Sequence, residues 1–187
     1  MKVVKIVYLV THGEKTDGPN PGMTDEGKAR IRNLRPILED LLPNGRPSQV
    51  FCGTGARQIE VALCLGFELK NIFFSDVWGG PATLTKIGGE KKVILADGTL
   101  VDYPDKFLSS DDLAQAARDA LKRLPHGSVI TSGRPTLIRV FKGLIEAEEC
   151  HSGAIYSLSI YDNGEITPKL MVIGIILDDA KEDGHKV

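Results

Sequence analysis

Several things are scarce in this chain, and each scarcity excludes a class. Three cysteines among 187 residues, Cys52, Cys64 and Cys150, are an odd number without C-x-x-C spacing, so neither a disulfide framework nor a zinc knuckle can be read. The four histidines, His12, His126, His151 and His185, form no ligand cluster in sequence, and no metal or organic cofactor is expected. No apolar run approaches the ~20 residues that span a bilayer. The apolar start, Val3 to Val10, meets Thr11-His12-Gly13-Glu14 where a signal peptide would need a small-residue cleavage site, which leaves a cytoplasmic chain as the expectation. Neither sign of charge dominates: 23 Lys and Arg against 25 Asp and Glu give −2, so no global field draws the chain to nucleic acid or to a membrane. Any basic site is local.

What is present is ordinary globular composition, 42% hydrophobic and 26% charged, in the length of one domain. Val3 to Val10 is rich in β-branched residues and reads as a buried strand. After a turn-rich loop, Thr24 is placed to cap a helix with apolar residues at Ile31, Leu34, Ile37, Leu38 and Leu41, stopped by Pro43 and kinked or divided by Pro36. A short strand from Gln49 to Cys52, a turn at Gly53-Thr54-Gly55, and a helix carrying Ile59, Val61, Ala62, Leu63 and Leu65 towards Gly66 follow. Ile72 to Phe74 reads as a short strand, and Val93 to Ala96 with Thr99 to Val101 as a hairpin around Asp97-Gly98. A helix capped by Ser109 or Ser110 runs through Leu124. Ser128 to Thr131 is a strand leading into a helix to about Glu149. Ala154 to Tyr161 and Ile166 to Ile176 form a closing hairpin, and residues 178–187 a polar tail.

Alternating strands and helices imply an α/β three-layer sandwich: a mostly parallel sheet with helices on both faces and a C-terminal β-hairpin, as one domain over residues 1–177. Ligands in such sheets sit at the carboxyl ends of strands. Three strand ends attract attention: Thr11-His12-Gly13, Cys52 to Arg57, and Thr131-Ser132-Gly133-Arg134. His12 directly follows a buried strand, which puts an imidazole at the mouth of the sheet. Cys52 to Arg57 is Cys-x₄-Arg, one residue short of the Cys-x₅-Arg phosphate loop of cysteine phosphatases, which argues against a thiol nucleophile.

These blocks carry a resemblance. Val7-Tyr8-Leu9-Val10-Thr11-His12-Gly13-Glu14 followed by Met23-Thr24-Asp25-Glu26-Gly27 resembles the opening of the histidine phosphatase superfamily, the phosphoglycerate mutase-like proteins, with its Arg-His-Gly-Glu and Leu-Thr-x-x-Gly. Phe51 to Ala62 is similar to the family's Ser-Ser-x-x-x-Arg-x-x-x-Thr-Ala, keeping Arg57 and Ala62, and Ser128 to Arg139 to the strand ending in Ser-His-Gly. The resemblance implies that His12 attacks phosphorus, that Arg57 clamps the phosphate, and that Thr11, Ser132, Gly133 and Arg134 lie around it. Thr11 and Ser132 stand where the family has an arginine and a second histidine, so two strong phosphate contacts are replaced by neutral hydroxyls, with Arg134 as a compensating cation or a solvated surface residue. The general acid is expected to be Asp76 or Glu14; Asp76 also reads as a helix or turn cap, and Glu14 as a residue that holds the second ring nitrogen of His12 or orients the loop, or as a solvated side chain. The implied activity is phosphomonoester hydrolysis, low or specialised, or the binding of a phosphorylated small molecule or phosphoprotein without turnover. A mutase fits less well, because the chain lacks long shielding insertions. Residues 79–107 are expected to form an insertion over the pocket.

Overall fold

The computed structural model describes residues 1–18, 20–79, 83–87, 90–94, 100–102 and 110–175. Strand β1 (Val3–Thr11) becomes steadily more buried along its length, ending on five buried residues. Helix α1 (Asp25–Leu41) opens as expected: the Thr24 hydroxyl accepts the Gly27 N–H at 3.0 Å, and Asp25 and Glu26 complement the positive end of the helix. Gly27, Ile31, Leu34 and Leu38 form its buried stripe. The helix runs through Pro36 without division, since that residue lies on the exposed side.

Strand β2 (Val50–Cys52), helix α2 (Ala56–Cys64) and strand β3 (Ile72–Phe74) follow. Strands β4 (Thr83–Ile87), β5 (Glu90–Ile94) and β6 (Leu100–Asp102) form a separate antiparallel sheet within the expected insertion, with Ile94 opposite Leu100. The Asp97-Gly98 turn lies outside the described residues. Helix α3 (Ser110–Arg123), strand β7 (Val129–Ser132), helix α4 (Arg134–Val140), strand β8 (Ala154–Tyr161) and strand β9 (Ile166–Ile173) complete the chain. Helix α4 is shorter than its apolar spacing suggests. It stops at Val140 because Gly143 adopts φ +80° and the chain turns, then re-forms as a single 3-10 turn at Ala147–Glu149.

The main sheet has the order β3-β2-β7-β1-β8-β9, with parallel pairing from β3 to β1 and antiparallel pairing of β8 on β1 and of β9 on β8. Alternation along β1 divides the core. Val7 and Leu9 join Ala117, Leu121, Ile130, Leu137 and Tyr156 on the α3–α4 face, whereas Tyr8 and Val10 join Ile31, Leu34, Leu38, Val61 and Ile155 on the α1–α2 face. Helices cover both faces, which completes the three layers. Among the described residues no helix is long and apolar enough to cross a membrane.

Candidate active site

The register of β1 on β7 sets the site. Thr11 lies opposite Ser132, so His12 and Gly133 leave the sheet side by side. The His12 N–H donates to the Ser132 carbonyl at 3.0 Å, and the His12 carbonyl accepts the Gly153 N–H at 2.8 Å, so the backbone of His12 is gripped from both neighbouring strands. Gly133 has to be small: a methyl group built on it would stand 3.0 Å from both Cδ2 and Nε2 of the imidazole. On the other side of β7, the Gly53 N–H donates to the Thr131 carbonyl at 3.1 Å, and the chain turns through Thr54 and Gly55 into α2. Arg57 is therefore in the first turn of a helix that begins beside the nucleophile candidate.

His12 is 7% exposed, and both its ring nitrogens are occupied. Nδ1 lies 2.8 Å from the Gly13 carbonyl, and Nε2 lies 3.1 Å from Nε of Arg57. A guanidinium can only donate, so Nε2 is the acceptor and the proton of the neutral ring sits on Nδ1. Burial pushes the His12 pKa below the usual histidine value; the Gly13 carbonyl opposes the shift, the charges of Arg57 and Lys15 reinforce it, and Glu14 opposes it. Burial also lowers the Arg57 pKa. The site thus pairs an uncharged imidazole with a half-buried cation.

The loop after His12 is fixed by close backbone packing. A methyl group on Gly27 would come within 2.6 Å of the Glu14 carbonyl, and one on Gly13 within 2.7 Å of Gly27 Cα and O, so the Thr-x-x-Gly block is where the first turn of α1 crosses under the His12 loop. The Thr24 N–H seals the crossing by donating to the Glu14 carbonyl at 2.9 Å.

The other candidates are placed as follows. The Thr11 hydroxyl is fully buried and serves the start of β8, donating to the His151 carbonyl at 2.8 Å and accepting the Ala154 N–H at 3.0 Å. The Ser132 hydroxyl is also buried and donates to the Trp78 carbonyl. The Glu14 carboxylate pairs with Arg30 at 3.1 Å. Asp76 begins a 3-10 turn capped by Ser75, and its carboxylate accepts the Thr54 hydroxyl. Arg134 is exposed and donates to the Ala147 carbonyl at 2.9 Å. The structure brings His12, Arg57 and Gly133 together, whereas the hydroxyls of Thr11 and Ser132 are spent on neighbouring backbone. Burial raises the Cys52 thiol to about 11, in keeping with a buried residue that is not a nucleophile.

Sequence reasoning passed over Asn20, Met23 and Glu60, which tie the loop after His12 to α2. Asn20 lay in a turn-rich loop, Met23 at the edge of the Thr-x-x-Gly block and Glu60 within α2, none with a signal that joins them. A groove of about 1070 Å³ opens at the amino ends of β2 and β3, against Leu38, Leu65 and Phe67, and none of the candidate residues lines it.

No family model matches the sequence, and no curated protein matches it. Solved structures do match. The open reading frame Rv3214 from Mycobacterium tuberculosis superposes with a TM-score of 0.59 at 17% identity, over 92% of this chain and 98% of that one. A mycobacterial glucosyl-3-phosphoglycerate phosphatase, Rv2419c, solved with VO3, gives 0.54 at 10% identity over 91% and 99% of the two chains. The protein histidine phosphatase SixA, complexed with tungstate, gives 0.52 at 15% identity over 89% and 94%. The six-stranded sheet, its helical layers and the C-terminal hairpin are accordingly the phosphoglycerate mutase-like fold.

Proposed function

We propose that this chain is a phosphohydrolase that works through a phosphohistidine at His12, with a phosphorylated small molecule or phosphoprotein as substrate. The observation that carries the reading is the state of His12: neutral, its Nδ1 proton held by the Gly13 carbonyl, and its Nε2 aimed at the Arg57 guanidinium at the carboxyl end of a parallel sheet. In the reaction, Arg57 turns its N–H groups from Nε2 to the phosphoryl oxygens, and the freed lone pair of Nε2 forms a bond to phosphorus. The bond from phosphorus to the leaving group breaks, and its electron pair departs with that group. Water then attacks the phosphohistidine, releasing phosphate and returning the neutral ring. Arg57 stabilises charge on the equatorial oxygens, a role worth ~10²–10³ in rate.

Two features narrow the substrate. Glu14 is tied to Arg30, and Asp76 bonds to Thr54, so neither carboxylate is held ready beside His12 as a proton donor. Donors whose leaving group departs without enzymatic protonation, such as phosphoramidates and acyl phosphates, fit better than alkyl phosphomonoesters. One of the matched structures, SixA, is a protein histidine phosphatase, and phosphohistidine belongs to the phosphoramidate class. A second reading draws on the same hydrogen bond: with Nε2 covered by Arg57, the pocket binds a phosphorylated ligand and does not turn it over.

Incubation with phosphoramidate or acetyl phosphate separates the readings. An acid-labile, base-stable phosphate on His12, absent from His12→Ala, supports the hydrolase. Calorimetric binding of phosphate that vanishes in Arg57→Ala, without any phosphohistidine, supports the binder. No label and no binding would remove both.

A further inference from the structure

Glu60 stands one turn beyond Arg57 on α2, and both of its carboxylate oxygens are engaged with elements around the His12 loop. Oε2 accepts the backbone N–H of Met23, and Oε1 lies 3.2 Å from Nζ of Lys28. Gly22 packs directly onto this carboxylate, where an added methyl group would come within 2.9 Å of both oxygens. Met23 is 2% exposed and turns its sulfur back to accept the Gly13 N–H at 3.3 Å. Asn20 adds a second stitch by accepting the Ala56 N–H, immediately before Arg57, at 3.1 Å.

These contacts close a circuit: His12, Gly13, Met23, Glu60, Arg57, and back to His12 through the 3.1 Å hydrogen bond. Arg57 has no carboxylate partner among the described residues, and among these its place opposite Nε2 is set by where α2 sits. We infer that Glu60 is a positioning residue: by clamping the Met23 backbone to α2, it fixes the separation between Arg57 and His12. The inference rests on His12 and Arg57 forming the working pair, as proposed above. Glu60 does not touch the reacting atoms. What it supplies is an acceptor oxygen at a fixed point, so a glutamine amide oxygen can replace it and an alanine cannot.

The test reads His12 itself, by the imidazole ¹⁵N spectrum at neutral pH, and does not depend on turnover. Arg57→Met supplies the reference for an Nε2 that has lost its donor. Glu60→Ala is expected to move the Nε2 resonance downfield toward that reference, whereas Glu60→Gln keeps the wild-type position. Gly22→Ala, whose new methyl group displaces the carboxylate, is expected to shift the resonance in the same direction and covers the case in which Glu60→Ala does not fold. A folded Glu60→Ala or Gly22→Ala protein with an unmoved Nε2 resonance overturns the inference, and so does a Gln variant that behaves like Ala. If the resonance moves as expected but no phosphoryl donor labels His12, the positioning role stands and the hydrolase reading falls.

Discussion

Arg57 and His12 face each other across one hydrogen bond, guanidinium Nε–H to imidazole Nε2 at 3.1 Å. The ring can accept it only while neutral, because a proton on Nε2 would set donor against donor and charge against like charge. Burial drives the pKa down first, and Arg57 and Lys15 add to it. His12 should therefore titrate below the ordinary ~6.5, and the acid limb of any phosphoryl-transfer pH profile should lie below that value too. Arg57→Met keeps the bulk and removes both the donor and the charge. In that variant the His12 midpoint, followed by NMR, should rise while turnover falls ~10²–10³-fold. An unmoved midpoint would contradict the part assigned to Arg57.

The same shift couples to stability. With a folded-state pKa below that of the unfolded chain, His12 makes the unfolded state the better proton binder as pH falls below ~6.5. Its contribution is intact above that pH and is lost on acidification through the folded value. Replacement by glutamine, which does not titrate, should flatten the dependence of melting temperature on pH in this acid window. An identical slope in wild type and His12→Gln would show that other groups govern acid unfolding.

Gly133 and Ser132 are adjacent, and their substitutions should separate chemistry from folding. Gly133 has φ −132°, open to any residue, and what it lacks is room against His12. Gly133→Ala should leave stability within about 1 kcal/mol and reduce phosphorylation of His12 by crowding Nε2. Ser132→Ala removes the donor to the buried Trp78 carbonyl and should cost about 1–3 kcal/mol in chemical denaturation. Loss of labelling in both variants, with neither destabilised, would mean that both residues act on the phosphoryl group.

Gly27→Ala makes a harsher test of the backbone crossing. The new methyl group would meet the Glu14 carbonyl at 2.6 Å, and this obstacle is main chain that cannot swing aside. A loss of about 1–3 kcal/mol is expected, together with displacement of the His12 loop. Unchanged melting and unchanged labelling would show that α1 can move away at no cost.

The parts legible in the sequence were those with a local cause. The β-branched run of β1, the Thr24 cap and the strand-turn-helix around Arg57 each write their structure in adjacent residues, and the layered sheet follows from their alternation. Helix α4 misled because Leu137, Phe141, Leu144 and Ile145 keep a helical spacing that the left-handed conformation of Gly143 interrupts. Within the site, a search for functional side chains fixed on Thr11 and Ser132, whose hydroxyls turn out to hold backbone. Glu60 was invisible for a related reason: it acts on a backbone N–H, and Met23 carries no side-chain signature for that.

The position of β1 between β7 and β8 also has a consequence in time. Tyr8 pairs with Val129 on one side and with Ser157 on the other, so β1 finds both its partners only after the intervening strands and helices have been synthesised. At translation rates of ~5–20 residues per second, β1 waits on the order of ten seconds for β7. Throughout that interval an apolar segment leading into His12 is present without a sheet to hold it. The surroundings of His12 come into existence only when β7 and β8 close around it.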